Sequence, residues 1–266
     1  MSATTSPACV LTIAGSDSSC GAGVQADIKT IAAMGGYGLN ALTCVVSEMP
    51  GRVSKVHWLG PDLIADQIHV LFDGFPIGAA KTGMIGGTDQ VQALVAAWIT
   101  IDKPVPLVVD PVMIATSGAR LLDEDAIEAL KTLLLPLAHV ITPNLDEAAV
   151  LWGRAVTTRA EMEACGQDLS SEFGCAVLIK GGHLAGDAAA DALCHTGSVS
   201  WFETPRVAGV HTHGTGCAYS AAIATGLAKG LLLIEAVRAA KAFVGSAIGQ
   251  HHAWGDVHAL NHLQQR

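Results

Sequence analysis

The 266-residue sequence has few aromatic residues and little positive charge. Aromatic side chains make up 5% of the chain, and 15 Lys and Arg residues stand against 24 Asp and Glu residues, for a formal net charge of −9. An acidic chain of this kind binds nucleic acid or an anionic membrane surface poorly, so we expect neither as a partner. The sequence also lacks any run of about 18 uninterrupted apolar residues, which argues against a transmembrane helix.

The cysteines do not form a disulfide pattern. There are seven of them, an odd number, and no two stand in a Cys-x-x-Cys pair. This usage fits a reducing compartment better than an oxidising one. The first nine residues contain no Lys or Arg and no long apolar run, so we expect no signal peptide. The sequence therefore predicts a cytoplasmic protein.

Half of the residues are apolar and 15% are charged, a composition that can bury a sizeable core and excludes a disordered chain. Apolar, β-rich runs alternate with helical patterns, which predicts an α/β fold with a mostly parallel sheet covered on both faces. No linker divides the chain, so we predict a single domain over residues 1–266. The predicted strands are 10–14, 42–47, 53–59 (an edge strand or flap), 77–81, 106–109, 138–142 and 176–180, with a hairpin over 191–204. The predicted helices are 22–34, 61–72, 89–98, 123–134 and 158–172, with two more after residue 216.

Several predicted strands end in polar or glycine-rich loops. In open α/β sheets, ligands bind outside the carboxyl ends of the strands, so these loops should meet at one edge. The loops are Gly15-Ser16-Asp17, Glu48, Lys81-Thr82-Gly83-Met84, Asp110-Pro111, Pro143-Asn144 and Lys180-Gly181-Gly182.

The sharpest local motif is 213–217, His-Gly-Thr-Gly-Cys, followed by an Ala-rich helical stretch. Two glycines and a helix start can present backbone N–H groups to a phosphoryl group, although an ordinary loop-to-helix junction would read the same way. At a helix N-terminus the pKa of the Cys217 thiol should be lowered, which would suit it to deprotonate a hydroxyl. The alternative for Cys217 is a small packing residue.

A second motif is Asn144-Leu145-Asp146-Glu147 at a helix start. Asn144 and Glu147 are three residues apart and can face the same way, so their oxygens could hold a hydrated Mg²⁺. An N-cap Asn with a Glu in the first helical turn is an equally good local interpretation.

Two metal or cofactor readings compete with these motifs. Residues 21–26 match the dinucleotide fingerprint G-x-G-x-x-A, and Glu48 follows about 20 residues later, as in an NAD-dependent dehydrogenase. Residues 15–20 intervene between the strand and that fingerprint, which counts against it. The histidine pairs 211/213 and 251/252 have no third ligand at a familiar zinc spacing, so we expect solvated side chains rather than a metal site. There is no P-loop motif.

Seven blocks, taken together and in order, resemble the hydroxymethylpyrimidine and hydroxymethylpyrimidine-phosphate kinases of thiamine biosynthesis, in the ribokinase-like superfamily. The blocks cover nearly the whole chain: 13–17 with 21–30, 81–84, 110–113, 115–118, 141–148, 179–183 and 212–217. The resemblance implies a ribokinase-like three-layer α/β/α fold, a homodimer, and ATP- and Mg²⁺-dependent phosphorylation of a primary alcohol on a pyrimidine.

The resemblance also implies a set of site residues. It assigns Gly214, Thr215 and Gly216 to the anion hole, with Cys217 where many ribokinase-like enzymes have an aspartate base. It assigns Asn144 and Glu147 to Mg²⁺ and its water, Lys180 and Lys241 to the nucleotide, and Asp110 to the phosphate path. The substrate pocket takes Gly15, Asp27, Glu48, Met84 and Val112 together with Cys217.

One departure from the family pattern is at Glu48. The family commonly reads Ala-Gln-Asn-Thr where this chain reads Ser47-Glu48-Met49-Pro50. A carboxylate can accept from an exocyclic amine and a protonated ring nitrogen, so we expect Glu48 to read an aminopyrimidine and to disfavour pyridoxal. A pyridoxal kinase remains the nearest alternative, because it shares the same blocks. Residues 16–20 and 114–121 are the candidate lids.

Overall fold

The computed structural model describes residues 6–113, 122–182, 184, 188–207 and 213–264. The candidate lid at 114–121 and His183, His211 and Thr212 of the sequence blocks lie outside the described residues. A nine-stranded sheet with the order β3-β2-β1-β4-β5-β6-β7-β8-β9 forms the centre of the protein. Its strands are β1 (Cys9–Asp17), β2 (Tyr37–Met49), β3 (Arg52–Trp58), β4 (Ile77–Thr82), β5 (Leu107–Val109), β6 (Val140–Ile141), β7 (Ala176–Gly181), β8 (Ala188–His195) and β9 (Ser198–Pro205).

The helices connect these strands. They are α1 (Gly23–Ala33), α2 (Pro61–Gly74), α3 (Thr88–Ile99), α4 (Glu124–Ala129), α5 (Leu145–Trp152), α6 (Arg159–Phe173), α7 (Thr215–Ala228) and α8 (Leu233–Gly249). A short two-stranded ribbon, β10 (His252–Trp254) with β11 (Val257–Ala259), follows α8. Within the described part of the chain, no helix is both long enough and apolar enough to cross a bilayer.

The mostly parallel sheet is confirmed. Strands β2, β1, β4, β5, β6 and β7 run parallel, whereas β3 and β8 run in the opposite direction at the two sides. Strand β9 pairs antiparallel with β8, so it runs in the same direction as β7. Helices α2 to α6 cover one face and α1, α7 and α8 cover the other, which gives the expected three layers. Successive residues of β1 alternate between the layers: Leu11 and Ile13 belong to one core cluster and Val10 to the other.

Two predicted elements differ from the structure. Strand β2 begins at Tyr37 rather than at residue 42, because its pairing with β1 starts at Cys9 opposite Tyr37 and uses backbone groups that polar residues also supply. The predicted helix 123–134 is α-helical only to Ala129 and continues as a π-helical turn and a 3₁₀ turn containing Pro136. Proline lacks the N–H that would extend the α-helical ladder.

Candidate functional site

The carboxyl ends of the parallel strands form one edge of the sheet, and β1 lies where the strand order along that edge reverses. Its neighbours in the sheet are β2 and β4, so the strand order reverses there and leaves a crevice at that edge. The carbonyl oxygen of Met84 accepts hydrogen bonds from Gly15 N at 3.1 Å and from Thr43 Oγ1 at 2.6 Å. This one oxygen joins the ends of β1 and β4 to β2, and it places Gly15 and Met84 of the predicted pocket side by side.

The loop after β1 wraps around the Asp17 carboxylate. That carboxylate accepts from Ser19 N at 2.6 Å, Ala22 N at 2.7 Å and Gly21 N at 3.1 Å. Burial raises the pKa of Asp17, but the adjacent His213 imidazole and hydrogen bonds from Ser19 and Ala22 outweigh it and hold the pKa well below its usual range. The N–H groups that a dinucleotide pyrophosphate would need are thus already used, which argues against the dehydrogenase interpretation.

Two glycines, Gly214 and Gly23, allow the loops of the site to pack closely against each other. Gly214 has φ +82° and precedes α7, and a Cβ built on it would lie 1.8 Å from the carbonyl oxygen of Gly21. Gly23 has φ +58°, and its Cβ would lie 2.4 Å from the carbonyl oxygen of Gly15. Such contacts and dihedral angles exclude larger residues. The start of α7 is therefore packed directly on the loop after β1.

The first turn of α7 lies beside an ion pair. A Cβ built on Gly216 would lie 3.2 Å from Lys180 Nζ and 3.4 Å from Asp110 Oδ2. Lys180 Nζ is 2.8 Å from Asp110 Oδ1, and Thr142 Oγ1 and Ser220 Oγ also donate to Asp110. Burial lowers the pKa of Lys180, but the negative charges of Asp110 and Glu147 outweigh it and raise the pKa. The backbone N–H groups at the start of α7 and the ammonium group of Lys180, which stays protonated, therefore lie next to the same space beside Gly216.

Asn144 and Glu147 form a capping box at the start of α5. Asn144 Oδ1 accepts from Glu147 N, and Glu147 Oε2 accepts from Asn144 N, each at 2.9 Å. The N-cap interpretation of these residues is therefore confirmed. Burial raises the pKa of Glu147 to about 7, against the opposing effect of Lys180. Glu147 also receives the N–H of Met113, so its oxygens are engaged by the protein, and Mg²⁺ would be held through water rather than directly.

The expected thiolate at Cys217 is wrong. Burial raises the pKa of its thiol to about 12, although the positive charge of Lys81 and the N–H of Gly23 act in the opposite direction. The free-energy cost of desolvating a thiolate here exceeds the stabilisation that the helix N-terminus gives it. Cys217 is therefore a neutral thiol in the first turn of α7 in the resting protein.

Two predicted site residues lie in buried ion pairs. Asp27 Oδ2 accepts from Lys81 Nζ at 3.0 Å and from Thr12 Oγ1 at 2.6 Å, and neither charged side chain has exposed surface. Lys241 Nζ lies 2.6 Å from Asp191 Oδ2, and Asp191 in turn accepts from Gly181 N next to Lys180. The ammonium group of Lys241 is therefore already paired, whereas Asp27 keeps one oxygen, Oδ1, without a hydrogen-bond partner.

Glu48 faces a histidine. Its backbone N and O both bond Ser18 Oγ, at 2.8 and 2.7 Å, and its Oε2 lies 4.0 Å from His213 Nε2. His213 Nε2 is also 3.3 Å from Asp17 Oδ2, and only 20% of its side chain is exposed, so the expectation of a solvated His213 is wrong. The ligand atoms of the three residues lie within 4.8 Å of one another. Because Asp17 already accepts several hydrogen bonds, this geometry favours an ion-pair cluster over a metal site.

Val112 carries backbone strain beside Asp110. Its φ is +30°, a value that β-branched residues rarely adopt, and its side chain is partly exposed. Such outliers cluster at ligand sites.

Sequence reasoning assigned no role to Asp17, Lys81 or His213. All three stand in the blocks that carried the resemblance, so block membership was the signal available. Their partners, at 3.0 Å for Lys81 and 3.3 Å for the other two, are far away in the sequence.

Comparison with known proteins identifies relatives of the whole chain. The sequence model of a family described as phosphomethylpyrimidine kinase matches residues 17–262. A hydroxymethylpyrimidine/phosphomethylpyrimidine kinase of Rhizobium meliloti is 43% identical over 242 residues, which cover 91% of this chain and 90% of that protein. The thiamine biosynthesis bifunctional protein ThiED of Geobacter sulfurreducens is 40% identical over 96% of this chain, and the chain spans about half (52%) of its length.

Solved structures of both phosphomethylpyrimidine kinases and pyridoxal kinases are similar to this chain. An ADP complex of Bacillus subtilis pyridoxal kinase superposes with a TM-score of 0.89 at 35% identity, covering 97% of this chain and 98% of that one. A phosphomethylpyrimidine kinase from Clostridium difficile gives 0.80 at 37% identity, covering 90% and 99%. Staphylococcus aureus pyridoxal kinase with AMP-PCP and pyridoxal gives 0.87 at 34% identity, covering 97% and 94%.

Proposed function

The chain belongs to the phosphomethylpyrimidine kinase family, and from that premise we propose that it transfers the terminal phosphoryl group of ATP to a hydroxymethylpyrimidine. The first acceptor is the hydroxyl of 4-amino-5-hydroxymethyl-2-methylpyrimidine, and the second is the phosphate of the resulting monophosphate. Phosphoryl transfer needs positioning and charge stabilisation more than covalent chemistry, and the candidate site offers both.

The observation that carries the proposal is the meeting of α7 with the Lys180–Asp110 pair at Gly216. The first turn of a helix has backbone N–H groups without intrahelical acceptors and a partial positive charge. Lys180 adds a full positive charge about 3 Å from the space that a Gly216 side chain would fill. A transferring phosphoryl group placed there would meet stabilising charge from both sides.

Mg²⁺ fits the acidic groups next to the cradle formed by the first turn of α7 and Lys180. Asp110 and Glu147 both act electrostatically on Lys180, and their oxygens are the kind of ligand that hydrated Mg²⁺ prefers. When bound, Mg²⁺ would neutralise charge on the nucleotide phosphates. In the protein itself, Asp110 orients Lys180, and Asn144 fixes the Glu147 carboxylate through the capping box.

Cys217 contributes as a hydrogen-bonding thiol rather than as a base. Its pKa of about 12 keeps the proton on sulfur in the resting protein. In a loose phosphoryl-transfer transition state the attacking hydroxyl needs little prior deprotonation, so positioning by Cys217 and the anion hole suffices. After the new P–O bond has begun to form and the bond to ADP has begun to break, the hydroxyl proton passes to an oxygen of the transferred phosphoryl group or to water.

A pyridoxal kinase is the second candidate, because the TM-score of 0.89 to the Bacillus subtilis pyridoxal kinase exceeds the 0.80 to the Clostridium difficile enzyme. The acidic Glu48 favours the aminopyrimidine instead, since pyridoxal has no amino group to donate to a carboxylate.

ADP release with MgATP tests the proposal, with hydroxymethylpyrimidine, pyridoxal, ribose or no acceptor present. We expect release to depend on an acceptor and to be fastest with the pyrimidine. Preference for pyridoxal would move the protein to the second candidate. Release that is independent of every acceptor would contradict both.

A further inference from the structure

Two carboxylates meet one imidazole at the edge of the predicted substrate pocket. His213 Nε2 lies 3.3 Å from Asp17 Oδ2 and 4.0 Å from Glu48 Oε2. We propose that these three residues act as one unit, in which protonated His213 is a positioning residue that holds the Glu48 carboxylate toward the amino-bearing edge of the substrate. This inference rests on the proposed function, because it takes Glu48 to meet the substrate ring.

The surroundings of His213 favour its cationic form. The close contact with Asp17 and the negative charges of Asp17 and Glu48 raise the pKa of His213 against the effect of burial. Asp17 stays ionised because N–H groups of its own loop surround it. From the neighbouring elements, Asp17 at the end of β1 and Glu48 on β2 face the imidazole, and the Cys44 thiol on β2 lies close enough to sense the charge of Glu48.

The backbone fixes the position of the imidazole. His213 pairs with Ala259 of β11 in an isolated parallel bridge, and Gly214 after it is locked against the carbonyl of Gly21. A Cβ on Gly21 would lie 3.2 Å from His213 Cδ2, so the ring is closely packed from that side too. One peptide bond therefore connects the residue that orients Glu48 to the residue that opens the anion hole.

The charge of Glu48 depends on this cation. Burial raises the pKa of Glu48, and the negative charge of Asp17 raises it further, whereas His213 lowers it. Without the imidazolium, the Asp17 and Glu48 carboxylates would repel each other across a partly desolvated gap. With it, the unit of Asp17, Glu48 and His213 carries a net charge of −1, and Glu48 Oε2 is the oxygen that lies 4.0 Å from His213 Nε2. That charge suits a substrate edge with two donors, an exocyclic amine beside a protonated ring nitrogen.

A double-mutant cycle separates this role from a structural one. The variants are Glu48→Gln, His213→Gln and the double variant, with His195→Gln as a matched control on the exposed end of β8. We expect each single substitution to raise the KM for the pyrimidine about 10-fold, and the double variant to match the singles, because one interaction is lost once. kcat should stay within a few-fold of wild type, and the control should leave both constants unchanged.

Independent effects would overturn the inference: a KM about 100-fold above wild type in the double variant, or a loss of kcat with KM unchanged in His213→Gln. Wild-type turnover keeps the two proposals apart. If the wild type phosphorylates no acceptor, the proposed function fails; if it is active and the cycle is additive, only this inference fails.

Histidine NMR gives a readout that needs no turnover. The chain has 11 histidines, and the spectrum of His213→Gln assigns the missing signal. We expect His213 to titrate above the ordinary histidine pKa of about 6.5, and Glu48→Gln to lower that midpoint. An ordinary midpoint, or one indifferent to Glu48→Gln, would overturn the inference. If His213→Gln does not fold, the His213 signal is identified as the one whose midpoint falls in Glu48→Gln but not in His195→Gln. The presence of such a signal above about pH 6.5 supports the inference, and its absence counts against it.

Discussion

Lys180 and Asp110 are 70 residues apart in the sequence, yet Lys180 Nζ lies 2.8 Å from Asp110 Oδ1, beside the first turn of α7. The pair joins the ends of β7 and β5 beside the first residues of α7.

Gly216→Val should stop phosphoryl transfer without unfolding the protein. The new side chain would enter the space beside Lys180 Nζ and Asp110 Oδ2, where the account puts the phosphoryl group. We expect kcat/KM to fall at least about 100-fold, the scale of losing an oxyanion-hole donor. Gly74→Val is the control, because nothing lies within 4 Å of a Cβ at that exposed position. Near-normal activity of Gly216→Val would show that the transferred phosphoryl group does not lie beside Gly216.

Gly214→Val should act on stability as well. Gly214 has φ +82°, and a Cβ there would lie 1.8 Å from the carbonyl oxygen of Gly21. We expect thermal unfolding to show a free energy of unfolding lower by about 3 kcal/mol, in addition to lost activity. An unchanged melting temperature would show that the loops around Gly21 can move apart.

Lys180→Met should lower kcat about 100-fold, because the cation facing the transferring group is lost while the backbone donors remain. Lys103→Met is the control, since Lys103 is exposed in the loop before β5. Steady-state assays at saturating MgATP measure the effect. A wild-type kcat in Lys180→Met would leave the ion pair with a purely structural role.

Glu147 should set the acidic limb of the pH profile. Its pKa is raised to about 7 by burial, so its carboxylate charge is lost as the pH falls through that value. We expect kcat/KM for MgATP to decline below about pH 7 in the wild type and much less in Glu147→Gln. Glu161→Gln is the matched control, because Glu161 holds the same capping-box position on α6. A limb that persists in Glu147→Gln would assign it to another group.

The same shift predicts a stability effect of opposite direction. The pKa of Glu147 is higher in the folded state than the ordinary 4.5, so its contribution to stability is fully present below pH 4.5 and is lost as the pH rises to about 7. The free energy of unfolding should therefore carry a penalty of about 3 kcal/mol above pH 7 that Glu147→Gln removes. Denaturant unfolding at pH 5 and pH 8 measures it, and equal pH dependence in the two proteins would contradict it.

Cys217→Ala should lower the rate about 10-fold and change the KM for ATP little, because in the proposed mechanism the thiol positions the acceptor hydroxyl and does not bind the nucleotide base. Cys175→Ala is the control for losing a buried thiol elsewhere. With a pKa of about 12, Cys217 should also react slowly with iodoacetamide at neutral pH. A wild-type rate in Cys217→Ala would make Cys217 a packing residue, and rapid alkylation would show an ionised thiol.

Glu48→Gln should change acceptor choice. An amide both donates and accepts, so the variant should tolerate pyridoxal better than the wild type does. The ratio of kcat/KM for pyrimidine over pyridoxal should fall about 10-fold, the scale of one charge-assisted hydrogen bond. An unchanged ratio would remove Glu48 from the specificity argument.

Much of the fold follows from local patterns. The alternation of buried strands and helices predicted the parallel sheet, and Thr158 with Glu161 predicted a capping box that the structure contains. Strand β2 was predicted too short, since residues 37–41 pair with β1 through backbone atoms and carry no continuous apolar run. The hydrophobic pattern of a sequence indicates which side chains are buried, but it does not indicate where the backbone hydrogen bonds between two strands begin.

The site was predictable in its membership but not in its electrostatics. Strand ends located Gly15, Asp110 and Lys180 at one edge, yet the protonation of Cys217 depends on burial that only the assembled fold determines. His213 was expected in solvent because it stands in a loop and has no third ligand at a familiar zinc spacing, whereas the structure pairs it with carboxylates from β1 and β2. Long-range contacts of this kind have no signature in local sequence.

The most direct test of the central claim is ³¹P NMR of the reaction of the wild-type protein with MgATP and hydroxymethylpyrimidine. We expect a phosphomonoester to appear first and a diphosphate later, with ADP formed in step with each. ADP with only inorganic phosphate, or a spectrum unchanged by the pyrimidine while pyridoxal is phosphorylated, would contradict it.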